Sequence, residues 1–462
     1  MLSALDLSIV AVYLAAVLFV GFRAAKKLRT GQEDYILAGR TLTLPLFVAT
    51  LVPTFYGGVL GVGEYAYRYG LSNWVIMGAP YYLFAAVYAF FFAGKVRLAE
   101  GMTIPDHLEK IYGRKAALFG ALLVFVLTIP AAEVLMLGIL LQWISGLHLG
   151  FCVVAITALC FSFIYKGGFR SDVWTNALQF FWMFAGFALI LPFAFSKAGG
   201  AGGLSGALPP LHLSWHGGNP TSKIFVWYLI ALWTLIDPAF HQRACAAENP
   251  RTARLGILVC IGFWFLFDAM STSAGLFSRA ILPPLENPLF AFPELAGALL
   301  PPVVKGLFFA GMISSMLASL QADGFLSAIT LAKDIAGRLI PAGPEETAPR
   351  RDERAWIRAG LIASGVLACI LALMMPSVVE LWYTIGSTVI PGLLFPILGC
   401  YFPAWRVSGN MALAASVCGW CFSLAAFLHP PLFGNVEPML PGLAAAAALW
   451  SASLLLKSRT KN

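Results

Sequence analysis

Residues 306–335 of the chain read GLFFAGMISSMLASLQADGFLSAITLAKDI. This stretch is long enough to cross a bilayer as one helix, because a membrane span needs about 20 residues. Small and polar side chains recur at every fourth position and therefore lie near one face of a helix; they are Gly311, Ser315, Ser319, Asp323 and Ser327. A carboxylate at membrane depth costs roughly 2.5–3.5 kcal/mol, so Asp323 should face protein, water or an ion. The stretch predicts a polar seam inside a membrane, although the serines alone fit close helix packing equally well.

The composition agrees with a membrane location. The 462 residues are 60% hydrophobic and 11% charged, whereas about 25% of a globular chain is charged. We therefore predict an all-α polytopic membrane protein. The net charge of +8 comes from lysines and arginines in short connections, so we expect no nucleic-acid partner. The eight cysteines fall mostly in apolar segments and are expected to pack as small hydrophobes.

About thirteen apolar segments are expected to cross the membrane. They are 4–22, 43–65, 73–94, 116–144, 148–165, 172–196, 224–243, 254–279, 303–334, 356–375, 378–402, 410–428 and 438–456. Basic residues concentrate in the connections after the odd-numbered segments, which predicts a cytoplasmic-membrane protein with its N-terminus outside and its C-terminus in the cytoplasm. The longest cytoplasmic connection, Ala336 to Ala355, is predicted to be a solvated loop.

The second segment contains signals for a broken helix. Residues 41–70 read TLTLPLFVATLVPTFYGGVLGVGEYAYRYG, with Pro53 followed by four glycines. Proline removes a backbone donor and glycine loosens the helix, so an unwound stretch with exposed carbonyl oxygens is expected here. Such breaks mark the binding site in transporters built from inverted repeats. The seventh segment, with Asp237-Pro238 near its inner end, is the expected counterpart of the second.

Four carboxylates fall within hydrophobic segments. If all were ionised without basic partners they would repel one another, so some should be protonated, ion-bound or facing a cationic substrate. Each one alone is equally compatible with a structural hydrogen-bonding role. These candidates are Glu64, Glu133, Asp268 and Asp323.

Four further stretches, in their order and position, resemble the sodium/solute symporter family. They are YILAGRTL at residues 35–42, GGFRSDVWTNALQ at 167–179, HQRACAAENPRTAR at 241–254 and KDI at 333–335. The resemblance covers about residues 5–430 and implies a leucine-transporter-type fold. It implies an N-terminal extra helix and first loop (1–42), two inverted five-helix repeats (43–196 and 224–402), and two C-terminal extra helices with the tail (403–462).

The resemblance also implies a sodium site, where the first core helix breaks against the eighth. It places main-chain carbonyl ligands at Pro53, Tyr56 and Ser315, and a pair of hydroxyl ligands at Ala318 and Ser319. Ala318 has no hydroxyl, which predicts a weaker site, a water in its place, or a shifted register in which a carboxylate supplies the oxygen.

Three aromatic residues and one amide extend the list of candidates. Relatives commonly carry aspartate where this chain has Asn176, so one coupling ion is expected rather than two. Trp233, Trp382 and Tyr383 fall at levels where relatives gate or stack on the substrate, although packing explains any one of them equally well.

These observations predict sodium-coupled symport of a small organic solute into the cell by alternating access, with sodium as the coupling ion and no obligate protein partner. Proton coupling on the same fold and a transporter-derived solute sensor are the alternatives. An enzyme is not expected, because the chain has no HExxH or GxSxG motif and no cluster of histidines in a span. The solute remains open among a sugar, an amino acid, a carboxylic acid and an amine, and the acidic seam favours an amine or a zwitterion.

Overall fold

A computed structural model of the chain describes residues 2–28, 31–340, 353–374 and 378–459. These residues are 85% helical and form no strand. A single backbone bridge pairs Leu42 with Ala247. The predicted solvated loop from Ala336 to Ala355 lies mostly outside the described residues.

The helices of the first half of the chain are membrane spans, some of them divided into two helices, and short connecting helices. They are α1 (Ala4–Ala25), α2 (Gln32–Leu37), α3 (Leu44–Thr54), α4 (Val59–Tyr69), α5 (Ala79–Phe91), α6 (Ala93–Leu98), α7 (Ile104–Tyr112), α8 (Arg114–Thr128), α9 (Ala131–Ser145), α10 (Leu149–Lys197) and α11 (Gly200–Ala207).

The second half follows the same pattern. Its helices are α12 (Thr221–Ile230), α13 (Trp233–Ile236), α14 (Pro238–Ala246), α15 (Pro250–Ile281), α16 (Ala291–Leu299), α17 (Val304–Ile329), α18 (Gly337–Leu339), α19 (Glu353–Met374), α20 (Val378–Tyr401), α21 (Gly409–Leu428) and α22 (Met439–Arg459). Short stretches of 3₁₀- or π-helix join some of these elements; they are Ala38–Arg40, Trp74–Gly78, Pro210–Leu213, Pro288–Phe290, Thr330–Ala336, Pro403–Trp405 and Pro430–Phe433.

The predicted all-α polytopic fold is confirmed, but the predicted number of thirteen spans is not. By length and composition, 11 helices of the described residues could cross a membrane, or 12 if the bent pair α3 and α4 is one span. The difference lies in α10, which counts as one span although Gly168 interrupts its 49 residues with a φ of 54°. The sequence predicted two segments there, 148–165 and 172–196.

The polar seam of α17 lies inside the protein, as predicted. Gly311, Ser315, Ser319 and Ser327 are all buried, and Asp323 is half-buried. At Gly311 the helix passes so close to α10 that a Cβ there would lie 2.9 Å from the Cα of Gly186. The small side chains therefore also serve close packing, and the two explanations of the seam are compatible.

The start of α17 is fixed against α1. Ser3 and Asp6 form a capping box at the start of α1, in which the Asp6 N–H donates to the Ser3 hydroxyl and the Ser3 N–H donates to the Asp6 carboxylate. The other oxygen of Asp6 accepts the N–H groups of Val303 and Gly306, each at 2.9 Å. The first N–H groups of a helix have no acceptor within that helix, and Asp6 accepts two of those at the start of α17. The Asp6 carboxylate therefore sets the position of α17 relative to α1.

Candidate ion and substrate site

The second span is broken in its middle, as its sequence predicted. α3 ends at Thr54, α4 begins at Val59, and their axes differ by 60°. The glycines of the break permit close approach: a Cβ on Gly57 would lie 2.5 Å from the Cβ of Ser319, and one on Gly58 would lie 1.9 Å from the Trp382 ring. The break therefore lies directly against α17 and α20.

The predicted sodium ligands lie at or near this break. The Ser319 hydroxyl donates a hydrogen bond to the main-chain carbonyl of Thr54. The Pro53 carbonyl accepts the N–H of Tyr56 at 3.1 Å. Small hard cations such as sodium bind hydroxyl and carbonyl oxygens, so the oxygens of Ser319, Thr54 and Pro53 are suitable ligands for sodium. Sequence reasoning missed the Thr54 carbonyl, which the end of α3 leaves without a donor from its own helix.

Two other predicted ligands lie deeper in α17. At Ser315 the predicted ligand is the main-chain carbonyl; the hydroxyl donates to the Met312 carbonyl of its own helix at 2.9 Å and is engaged locally. Ala318 is fully buried and carries no oxygen on its side chain. The pair of hydroxyls that the resemblance implied is thus reduced to Ser319.

A cavity of about 190 Å³ opens beside the break. It brings together residues that the sequence nominated from six different segments. These residues are Tyr56, Glu133, Trp233, Asp268, Ser319, Asp323 and Trp382. The cavity therefore joins the candidate ion site to the candidate substrate residues in one space.

Three of the substrate or coupling candidates lie outside the cavity wall. Glu64 is ion-paired with Arg68 at 3.0 Å, one turn further along α4. Asn176 is buried and donates to the hydroxyls of Thr50 at 3.2 Å and Thr54 at 3.4 Å. The Tyr383 ring packs 6.5 Å from the Trp227 ring, measured between centroids.

The seventh span is also interrupted. Asp237 has an extended backbone between α13 and α14, and its carboxylate accepts the N–H groups of Ala239 at 2.7 Å and Phe240 at 3.0 Å. It therefore caps α14, as aspartate commonly does at a helix start. Asp237 also lines the cavity, a position that sequence reasoning missed because it took Asp237-Pro238 only as a helix breaker.

A buried ion pair was also missed. Arg243 donates to the Asp172 carboxylate at 2.8 Å and to the Thr54 hydroxyl at 3.2 Å, and both charged side chains are fully buried. This network anchors the end of α3 to α10 and α14. Asp172 lies in GGFRSD and Arg243 lies in HQRA, two stretches that carry the family resemblance. Their place in these stretches was the sequence feature that could have marked them as site residues.

A second network of charges lies between α7 and the turn that follows α17. Lys333 pairs with Asp106 at 2.5 Å, while Arg338 pairs with Asp106 at 2.8 Å and with Asp334 at 2.7 Å. Burial alone would raise the pKa of Asp106, but the charge of Lys333 beside it lowers that pKa to about 2. Asp106 therefore stays ionised at neutral pH and holds the two segments together.

A broken membrane helix that lines a polar cavity between spans is the arrangement of a secondary transporter. The model of the sodium:solute symporter family matches residues 35–419, and the chain belongs to this family. The resemblance predicted from the sequence is thus confirmed. Family membership supports sodium as the coupling ion and symport as the class of transport, in a multi-pass membrane protein.

The relatives differ in the solute for which they are named. The high-affinity choline transporter 1 of Drosophila melanogaster is 26% identical over 414 residues, which are 85% of this chain and 65% of that protein. The sodium/pantothenate symporter of Escherichia coli (strain K12) is 25% identical over 461 residues, covering 93% of this chain and 92% of that protein. A solved structure of a Na⁺-coupled sialic acid symporter, in a substrate-bound outward-open state, matches with a TM-score of 0.83 at 15% identity and covers 98% of each chain. That likeness shows the leucine-transporter-type fold.

Proposed function

We propose that this protein carries a small organic solute into the cell together with sodium, by alternating access. The observation that supports this most directly is the hydrogen bond from Ser319 to the Thr54 carbonyl, made where the broken helix meets α17 at the cavity wall. An ion that took these oxygens would be bound beside the solute. Solute transport rather than catalysis is the role proposed for this cavity.

Coupling follows from this position. An ion that binds between the broken helix and α17 favours the conformation in which these elements are close, and the solute binds the cavity between the same elements. Each ligand then raises the affinity of the other by the same factor, because linkage is reciprocal. One sodium ion moving down a membrane potential adds about 2.3 kcal/mol per 100 mV as driving force.

The assignment of ligands is part of the proposal. We assign the sodium to the Ser319 hydroxyl and the carbonyls of Pro53, Tyr56 and Ser315, with the Thr54 carbonyl as an additional ligand. Ala318 leaves one oxygen fewer than the family pattern implies, which predicts weak sodium binding.

The arrangement in the membrane is proposed from charge and helix parity. The N-terminus lies outside and the C-terminus lies in the cytoplasm, with inverted repeats at residues 43–196 and 224–402. The interruptions near Pro53 and at Asp237 lie in the spans that would correspond under this repeat, and they support it.

Proton coupling is the second candidate. Glu133 and Asp323 line the same cavity, and carboxylates close together share protons readily. Their presence allows a proton to take the place of sodium.

Uptake into proteoliposomes under imposed gradients separates the two candidates. An inward sodium gradient at equal pH should drive uptake of a solute identified from a panel, and Ser319→Ala should abolish the drive. Ser314→Ala is the matched control, because Ser314 is not an assigned ligand and its hydroxyl donates to the Gly311 carbonyl of its own helix at 2.6 Å. Uptake driven by a proton gradient alone, and lost in Asp323→Asn, would instead establish proton coupling.

A further inference from the structure

We infer that the solute is an organic cation, an ammonium compound without a carboxylate, held between the Glu133 and Asp323 carboxylates and the aromatic rings of the cavity. This inference rests on the proposed function, because it names the class of solute for the same cavity. It depends on four features of the cavity wall: its charge, the engagement of its carboxylates, its rings and one unpartnered hydroxyl.

The wall carries charge of one sign. Its carboxylates are Glu133, Asp237, Asp268 and Asp323, and within the described part of the chain no lysine, arginine or histidine lines it. An anionic solute would meet four carboxylates and no cation. A zwitterion would leave its own carboxylate without a basic partner, so the wall disfavours both classes.

Two of the four carboxylates are engaged in the fold. Asp268 accepts a hydrogen bond from the Tyr82 hydroxyl, and Asp237 accepts two main-chain N–H groups as the cap of α14. These two carboxylates have a structural role that requires no ligand.

The other two are poorly compensated. Glu133 is only 7% exposed and lines the cavity together with Trp382, and none of the ion pairs among the described residues includes it. Asp323 lines the same cavity as Glu133 and Asp237, and it forms no ion pair within the described part of the chain. Arg243, whose charge acts on Asp323, already forms an ion pair with Asp172 and is not free to compensate a second carboxylate. A cationic ligand between Glu133 and Asp323 would supply the missing charge.

Aromatic rings surround these carboxylates. Phe55, Tyr81, Trp227, Trp233 and Trp382 all line the cavity. A ring face attracts a cation, and this attraction strengthens when the cation is desolvated; aromatic cages recognise quaternary ammonium groups in this way. A sugar would also stack on such rings, but it would leave the carboxylates without a counter-charge.

Thr234 is an independent sign that a ligand binds here. Its side chain is 2% exposed and lines the cavity, yet its hydroxyl has no hydrogen-bond partner among the residues that the structure describes. Buried hydroxyls are normally hydrogen-bonded. The solute is therefore expected to carry, besides its ammonium group, a hydroxyl or carbonyl oxygen that pairs with Thr234.

The decisive comparison uses two solutes of equal shape. One is a quaternary ammonium alcohol; the other is its neutral isostere, in which C(CH₃)₃ replaces N(CH₃)₃⁺. Binding to the purified wild-type protein in saturating sodium is measured by calorimetry, together with a carboxylate-bearing ammonium compound and a hexose. The ammonium alcohol should bind at least about tenfold more tightly than the other three.

The variants test the residues. Glu133→Gln and Asp323→Asn should each weaken binding of the ammonium alcohol at least about tenfold, while Glu64→Gln, the same change outside the cavity, should leave it unaltered. Equal binding of the neutral isostere, or tighter binding of the hexose or the carboxylate-bearing compound, would overturn the inference. So would unchanged affinity in both folded variants. Failure of sodium to drive uptake of any solute contradicts the proposed function instead, and this binding comparison does not depend on that result.

Discussion

The Ser319 hydroxyl donates a hydrogen bond to the Thr54 carbonyl, so that the middle of α17 is joined to the end of α3. This bond joins a side chain of one helix to the main chain of another, so it is not part of the regular hydrogen bonding of either helix. The two oxygens come from segments 265 residues apart, and they meet because the second span is broken. A cation that accepts both oxygens would bridge the same two elements more strongly than the hydrogen bond does.

Replacement of Ala318 tests the assignment of the sodium ligands by an expected gain in sodium affinity. Ala318→Ser adds a hydroxyl beside Ser319, and a hydrogen-bonding group on a charged partner contributes about 1.5–3 kcal/mol. We therefore expect sodium affinity to rise at least about tenfold, measured from the sodium dependence of thermal stability. Ala310→Ser adds the same group to a buried position elsewhere on α17 and should leave the affinity unchanged. Unchanged affinity in both variants would show that the register of the sodium ligands is wrong.

Gly57 tests the close approach at the break. In Gly57→Ala the new Cβ would lie 2.5 Å from the Ser319 Cβ and 3.2 Å from the Glu133 Cγ. Overpacking of this kind costs about 1–3 kcal/mol, so we expect a lower thermal midpoint and loss of sodium-dependent uptake. Gly262→Ala in α15 meets no atom within 4 Å and should retain uptake and stability. Normal uptake in Gly57→Ala would contradict the described contact between the break and α17.

Local patterns predicted the elements of the site. The break follows from Pro53 and its glycines, and the seam of α17 follows from a four-residue repeat, because both signals lie within one helix. The sequence also predicted two separate segments, 148–165 and 172–196, where the structure has the single helix α10 with an interruption at Gly168.

Contacts between distant segments were harder to predict. Asp172 and Arg243 are 71 residues apart, and no periodicity indicates that they pair. Arg68 stands four positions after Glu64 and is visible in the sequence as a local partner, but nothing in the sequence places Asp268 at the cavity and Glu64 outside it. Which side of a helix faces the cavity is decided by packing, and one sequence does not contain that information.

The pair of Asp172 and Arg243 gives a prediction about stability. Both side chains are fully buried, so Asp172→Asn leaves an uncompensated charge, and loss of one partner in a buried pair costs about 3–5 kcal/mol. Chemical unfolding in mixed micelles should show this loss. The double variant Asp172→Leu with Arg243→Met should recover most of it, since neither charge is then buried. Glu100→Gln removes a partner from the exposed pair with Lys110 and should change little. A single variant as stable as the wild type would contradict the described burial of the pair.

His107 on α7 gives a prediction about pH. Its ring is 5% exposed, its Nδ1 lies against the Tyr401 hydroxyl, and its Nε2 has no partner among the described residues. Burial lowers the pKa of His107 to about 4; Asp106 opposes this change, while Arg40, Lys333 and Lys110 add to it.

The direction in which stability changes with pH follows from the number of protons that His107 binds in the folded and in the unfolded protein. Between pH 6.5 and about 4 the unfolded chain binds a proton at this position and the folded protein does not, so stability falls as the pH falls. The loss over this range is about 3 kcal/mol, from about 1.36 kcal/mol for each pKa unit. Thermal unfolding between pH 7 and pH 4 should show a steeper decline for the wild type than for His107→Gln. His429→Gln, which alters an exposed ring, should retain the decline of the wild type. Identical pH profiles for the wild type and His107→Gln would mean that His107 accepts its proton in the folded protein, and that α7 packs less tightly against α20 than the structure describes.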